Sequence, residues 1–343
     1  MARLILRRLL MLPLVMAGAS LVIFALSQLL SPYQRVATYV RSPQELKSFS
    51  LDQLVEKYRL NAPLTTQYVN WLQELASGNL GWSEVAKEPV WDAIKRHFPA
   101  TLELTLYASV PMALGGVWLG TLAAVHHNTW VDHASRVFAI VGWSFPTFVF
   151  GLLFLMLFYG WLGWFPPGRL SVWATQVVVS PEFRQVTGLV TIDALINGRL
   201  DVFADAIRHM VGPVVTLSYL YWAQLQRITR SSMLDTLRQD YVRTARAKGL
   251  DERTVINRHA RRNALIPVST IIALMVLGLL GGVVITETIF AYPGIGRLLA
   301  SAALQLDRAT VLGVTLFYAV ILVVVILAMD ISYALIDPRV RVG

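Results

Sequence analysis

Apolar residues are not spread evenly along this chain. They gather into six long runs, at about 9–30, 101–125, 137–162, 206–225, 265–285 and 310–329. About 20 residues of helix cross the hydrocarbon core of a bilayer, so each run predicts a transmembrane helix, the fourth being the shortest. The expected fold is an all-α integral membrane protein with six transmembrane helices. The run at 9–30 follows Arg3, Arg7 and Arg8 and is longer than a signal-peptide core, which predicts a retained first span.

The intervals between the runs have patterns of their own. In "SLDQLVEKYRLNAPLTTQYVNWLQELASGNLG", Leu51, Leu54, Val55 and Tyr58 recur at helical spacing, as do Tyr68, Trp71, Leu72 and Leu75. Two short surface helices are expected there. Trp161, Trp164 and Phe165 in "GWLGWFPPGR" suit a membrane boundary, where amphipathic rings settle. Gly116 with Gly120, and Gly278 with Gly282, have the spacing that lets helix backbones approach in lipid. Pro111 and Pro146 fall inside predicted spans and free carbonyls that need other partners.

Charge supplies an orientation. Besides the three N-terminal arginines, one cluster comprises Arg227, Arg230, Arg238, Arg243, Arg246, Lys248, Arg253, Arg258, Arg261 and Arg262, and Arg339 and Arg341 close the chain. Even numbers of predicted spans separate these clusters, so all three share one face. The positive-inside rule makes that face cytoplasmic, with both N and C termini on it. The same rule accounts for a net charge of +9 without invoking nucleic acid. The chain then reads as residues 1–100, a cytoplasmic tail, first span and long extracytoplasmic segment, followed by a core of residues 101–343 with a cytoplasmic loop at about 226–264.

Composition narrows the chemistry. Hydrophobic residues make up 55% of the 343 and charged residues only 15%. With no cysteine there is no disulfide, thiolate site or thiol nucleophile, and the six histidines form no HExxH pattern. No catalytic or metal-binding residues are expected. Glu103, Glu287 and Asp330 stand near span ends, so no span carries the central acidic relay of a proton-coupled pump. No Gly-rich Walker loop occurs, so no ATP-binding site is expected on this chain.

The basic stretch "DYVRTARAKGLDERTVINRHARRNALIP", residues 240–267, interrupts two very apolar runs. Residues 231–248 read as helix, with Leu234, Leu237, Tyr241 and Ala245 on one face. Gly249 suits a left-handed helix terminus, and Asp251 with Glu252 suits the start of a second helix. A DNA-binding helix–turn–helix lacks any linker here. A surface helix on anionic lipid and a docking element for a cytoplasmic partner both remain open.

The stretch resembles the EAA loop of ABC importer permeases, with Arg243-Thr244-Ala245 in place of Glu-Ala-Ala and Gly249 in register. Its "DYVRTARAKGL" and "HARRNALIP" are similar to one branch, the dipeptide/oligopeptide/nickel importer permeases. "ILRRLLMLP", "RHFPATLELTLYA", "SFPTFVFGLLFLMLF", "LGWFPPG", "GGVVITETIFAYPGIGRLL" and "LIDPRVR" resemble the same branch in the same order, and its B-type member in particular. Ser31-Pro32-Tyr33-Gln34 departs from the branch's usual Pro-Gly-Asp-Pro.

The resemblance implies a type I ABC importer permease fold in a bacterial or archaeal inner membrane. It implies a second homologous permease, two cytoplasmic ATPase domains carrying ATP and magnesium, an extracytoplasmic binding protein and surrounding membrane lipid as partners. The ATPase-coupling surface it implies comprises Leu237, Asp240, Tyr241, Thr244, Ala245, Lys248, Gly249 and Leu250. The expected cargo is peptide, with nickel, glutathione-like molecules or oligosaccharides as alternatives on the same scaffold, and an ATP-independent transporter as a different class. Glu287, Pro293, Gly294 and Gly296 form a turn-rich segment that reads either as a pathway gate or as a structural re-entrant turn.

Overall fold

Helices account for nearly all regular structure in the computed structural model, which describes residues 2–280 and 283–336. In chain order they are α1 (Ala2–Ser27), α2 (Pro32–Arg35), α3 (Pro43–Ser48), α4 (Leu51–Lys57), α5 (Leu64–Ala76), α6 (Val90–Val125), α7 (Trp130–Ser144), α8 (Thr147–Phe154) and α9 (Val172–Val179). There follow α10 (Val190–Ile196), α11 (Leu200–Leu237), α12 (Asp240–Ala247), α13 (Glu252–Thr254), α14 (Arg261–Leu280), α15 (Val284–Ile289), α16 (Ile295–Leu304) and α17 (Arg308–Ile336). A two-stranded antiparallel ladder pairs Trp82 with Pro89 and Ser83 with Glu88. The chain divides into two compact units, residues 1–101, 280–284 and 293–343 in one, 102–279 and 285–292 in the other.

The six-span expectation does not hold. Among the described residues, three helices are long and apolar enough to cross a membrane: Val90–Val125, Glu252–Leu280 and Arg308–Leu327. A fourth is added if Trp130–Ser144 and Thr147–Trp161, bent by 102°, count as one span. Each shortfall has a physical reason. Pro146 stands at the bend and caps α8, so the run at 137–162 is not one straight helix. The described apolar part of α1, Pro13–Ser27, is too short. Helix α11 has the length, but Asp201, Asp205, Arg208, Arg227 and Arg230 frame its apolar middle, and it buries Thr216, Ser218, Gln226 and Thr229. With the count falls the even-number argument that put both termini on the cytoplasmic face. Arg339 and Arg341, Gly282 and the side chain of Asp330 lie outside the described residues.

In the first unit, α1 packs along α17, and Ile23 and Phe24 enter a core with Val36, Tyr39, Leu54, Leu60 and Trp71. The two short helices expected after the first apolar run are α4 and α5. Ser50 caps α4 in a reciprocal box with Gln53, and α5 reaches α1 through Tyr68 Oη and Ser20 Oγ, 2.8 Å apart. Buried Arg35 holds this region together: Nη1 donates to Gln28 Oε1 at 2.6 Å and to Gln67 Oε1 at 2.5 Å, and Nη2 to the Leu60 carbonyl at 3.2 Å. Removing a charged donor from buried acceptors costs about 2–3 kcal/mol. Arg35→Ala should therefore lower the unfolding midpoint of the detergent-purified chain clearly. An unchanged midpoint would contradict this role.

In the second unit, α6 and α11 run parallel at close range. A methyl added at Gly116 would sit 2.4 Å from Leu225 Cβ, and one at Gly120 would sit 2.5 Å from Thr229 Cβ. The Gly116/Gly120 spacing thus serves backbone approach. Helix α7 runs antiparallel to α11: Ser135 accepts from Gln226 Nε2 at 2.9 Å, and Tyr219 Oη donates to the Phe138 carbonyl at 3.2 Å. Trp222 Nε1 donates to the carbonyl of Pro111 itself at 2.7 Å, a further tie between α11 and α6. Gly278 has nothing near its missing side chain.

Candidate functional site

The basic stretch forms a compact knob on the second unit. Helix α11 ends at Leu237, and the chain restarts at Asp240 after Gln239 adopts an extended conformation. One helix over residues 231–248 was expected; the break at 238–239 resets its phase. Val242 and Ala245 therefore point inward, into a core with Ala124, Met233, Val255, Ala260 and Ala264. Leu237 is half-buried against the same core. Asp240, Tyr241, Thr244, Lys248, Gly249 and Leu250 are exposed.

The corner after α12 is built as a helix terminus should be. Gly249 has φ +75°, and the Leu250 amide donates back to the Ala245 carbonyl at 3.4 Å. Asp251 then caps α13, its carboxylate accepting from the Thr254 amide at 3.0 Å. The Thr254 side chain, together with that amide, holds the Asp251 carboxyl below its usual range. Across the corner, Arg246 grips Glu252 through two parallel bonds of 3.1 and 2.7 Å. Ser232 Oγ donates to the Ala264 carbonyl at 2.7 Å, tying α11 to α14. Tyr241 Oη accepts from Asn263 Nδ2 at 3.0 Å. The knob thus presents a polar, partly aromatic face from a platform fixed on several sides.

A second feature of this unit was only half visible beforehand. Glu103, buried in α6, accepts from Arg169 Nε at 3.0 Å and Nη2 at 2.6 Å, and from the Thr191 amide and hydroxyl at 2.7 Å each. Arg169 also reaches the Gly188 carbonyl at 2.8 Å. Buried Tyr292 directs its hydroxyl to Glu103 at 3.5 Å. The lone signal in the sequence was a glutamate in an apolar helix, which demands a buried cation.

Glu287 is fully buried in α15, and its carbonyl accepts from the Tyr292 amide at 2.8 Å. Ala291, with φ +50°, adopts a conformation costly for a residue with a Cβ. The Phe290 ring lies over Gly212 and Gly151, where a methyl would meet it at 2.6 and 3.3 Å. Pro293, Gly294 and Gly296 belong to the first unit. There Gly294 caps α16, Gly296 is buried, and the Ile295 amide donates to Thr101 Oγ1 at 2.9 Å. Among the described residues no group of histidine, aspartate or glutamate side chains could hold a metal ion.

Helices long and apolar enough to cross a membrane, carrying a short exposed helix between α11 and α14, have the build of a membrane transport component. Residues 116–342 match the model of the binding-protein-dependent transport system inner membrane component family. The chain is 39% identical to the di/tripeptide transport system permease protein DppB of Pseudomonas aeruginosa, over 94% of both chains. It is 37% identical to the dipeptide transport system permease protein DppB of Alkalihalophilus pseudofirmus, over 98% of both. It is also 37% identical to the oligopeptide transport system permease protein AppB of Bacillus subtilis, over 84% of both. The chain belongs to the binding-protein-dependent transport system inner membrane components. It is a multi-pass inner-membrane permease subunit and not an enzyme. Membership implies the usual partners of such an importer.

Proposed function

We propose that this chain forms half of the translocation pathway of an ATP-driven importer of short peptides, which an extracytoplasmic binding protein delivers. A second, homologous permease would supply the other half, and two ATPase domains would supply the work. The peptide cargo rests on relatives that are named for dipeptide, di/tripeptide and oligopeptide transport.

The observation that carries the coupling role is the exposed face of α12 on its fixed platform. Asp240, Tyr241, Thr244, Lys248, Gly249 and Leu250 would enter a groove on the ATPase. Leu237 and Ala245 would act from below by holding the helix in place. A displacement of the knob then passes into α11 and α14, because the core of Met233, Val242, Ala245, Val255 and Ala264 links them.

Glu287, Pro293, Gly294 and Gly296 are proposed as parts of a gate in the pathway, each acting within its own unit. Glu287→Gln removes a buried charge and should slow transport by about tenfold; unchanged folding and transport would remove Glu287 from the pathway. The proposal as a whole is tested by affinity purification of the native assembly through this chain. A second permease, two ATPase domains and a binding protein loaded with short peptides are expected. Recovery of the chain without any ATPase would contradict it.

A further inference from the structure

A cavity of about 420 Å³ lies between α7 and α11. Its walls change character from end to end. Arg136, Arg227 and Arg230 line one part, and Ala139, Ile140 and Trp143 line the other. Arg136 and Trp143 stand seven residues apart on one helix, about 10 Å of rise.

The charges do not balance. Arg230 takes both oxygens of buried Asp132, at 2.8 and 2.7 Å. Arg136 reaches the same carboxylate only at 3.6 Å and otherwise meets the ring of His133. Arg227 is exposed and forms no ion pair among the described residues. Of the three guanidinium groups that line the cavity, only Arg230 is fully paired with a carboxylate, and the forks of Arg136 and Arg227 retain donors for an anion. A planar guanidinium fork matches phosphate oxygens closely. Meanwhile Trp143 and Ile140 are 65% and 63% exposed, an apolar wall that a simple inorganic anion would leave uncovered.

We propose that this cavity binds an anionic phospholipid, the phosphate held by Arg136 and Arg227, the glycerol and first acyl carbons lying along Ala139, Ile140 and Trp143. Charge complementarity selects the anion, and the apolar wall one helical stretch away selects a lipid over a soluble one. Asp132 and Arg230 form the fixed floor of the site. Helix α7 is half of the bent pair that would add a fourth span, which would set this wall beside acyl chains.

The test uses the full chain with whatever partner subunits co-purify, in nanodiscs of defined lipid, read by native mass spectrometry. Phosphatidylglycerol is expected to stay bound and phosphatidylcholine to dissociate. Arg136→Gln/Arg227→Gln should weaken phosphatidylglycerol retention by about 25-fold, roughly fivefold for each arginine. Equal retention by the double variant would overturn the proposal. Displacement of the lipid by millimolar inorganic phosphate would overturn the lipid assignment in favour of a plain anion site. Displacement by a dipeptide would instead make the cavity part of the substrate path. Should the double variant fail to fold, Trp143→Phe decides. Phosphatidylglycerol with brominated chains should quench fluorescence of the unmodified chain more than brominated phosphatidylcholine does, and Trp143→Phe should remove that difference. An undiminished difference would overturn the site.

Discussion

Thr244→Arg is expected to stop transport and release the ATPase subunits while the membrane chain stays folded. Thr244 lies on the exposed face of α12, one turn from Asp240, whose carbonyl its hydroxyl meets at 2.9 Å. Nothing in the chain's own core depends on it. A long cationic side chain there must either clash with a closely fitted groove or bury an unpaired charge. Losses of this kind at a central contact reach 100-fold or more in affinity. The contrast is with Val242 and Ala245, buried in the core beneath. Substitutions there would impair docking by loosening the platform and would lower stability as well. Size-exclusion chromatography of the solubilised assembly separates the cases: Thr244→Arg should shift the ATPases out of the permease peak with an unchanged melting midpoint. Thr244→Ser should leave them in it.

The second large effect is expected at Glu103. Removing its carboxylate by Glu103→Ala leaves the Arg169 guanidinium largely buried and without its anion, and the amide and hydroxyl of Thr191 without an acceptor. Breaking one side of a buried ion pair costs about 3–5 kcal/mol. The midpoint of thermal unfolding should fall steeply. Glu103→Ala/Arg169→Ala should fall by less than the two single losses added together, because the double variant buries no lone charge. Strict additivity would mean that the pair is not coupled. The Tyr292 hydroxyl also turns toward this carboxylate, and Tyr292 directly follows strained Ala291.

Local chemistry was legible in the sequence, and long-range placement was not. Gly249 and Asp251 could be read as a helix end and a helix start because each acts within a few residues of itself. The single face drawn through Leu234, Leu237, Tyr241 and Ala245 does not survive in the fold. Counting from Leu234 and Leu237 to Tyr241 and Ala245 assumes an unbroken helix, and extended Gln239 breaks it. Ala245 is buried beside Val242 as a result, while Tyr241 is exposed. The span count failed for a related reason. A run of apolar letters does not distinguish α14, which carries no charge after Arg262, from α11, whose apolar middle carries polar groups that pack inside the unit. Glu103 advertised a missing cation, yet Arg169 lies 66 residues away, and spacing cannot name such a partner.

The central claim is that this permease transports only when ATPases move its exposed knob. The most direct measurement is uptake of a labelled dipeptide by proteoliposomes holding the purified assembly, with binding protein outside and ATP within. Uptake is expected to need every subunit, to stop when a non-hydrolysable ATP analogue replaces ATP, and to vanish with Thr244→Arg. Uptake that continues without ATP hydrolysis, or with the ATPases left out, would contradict the account.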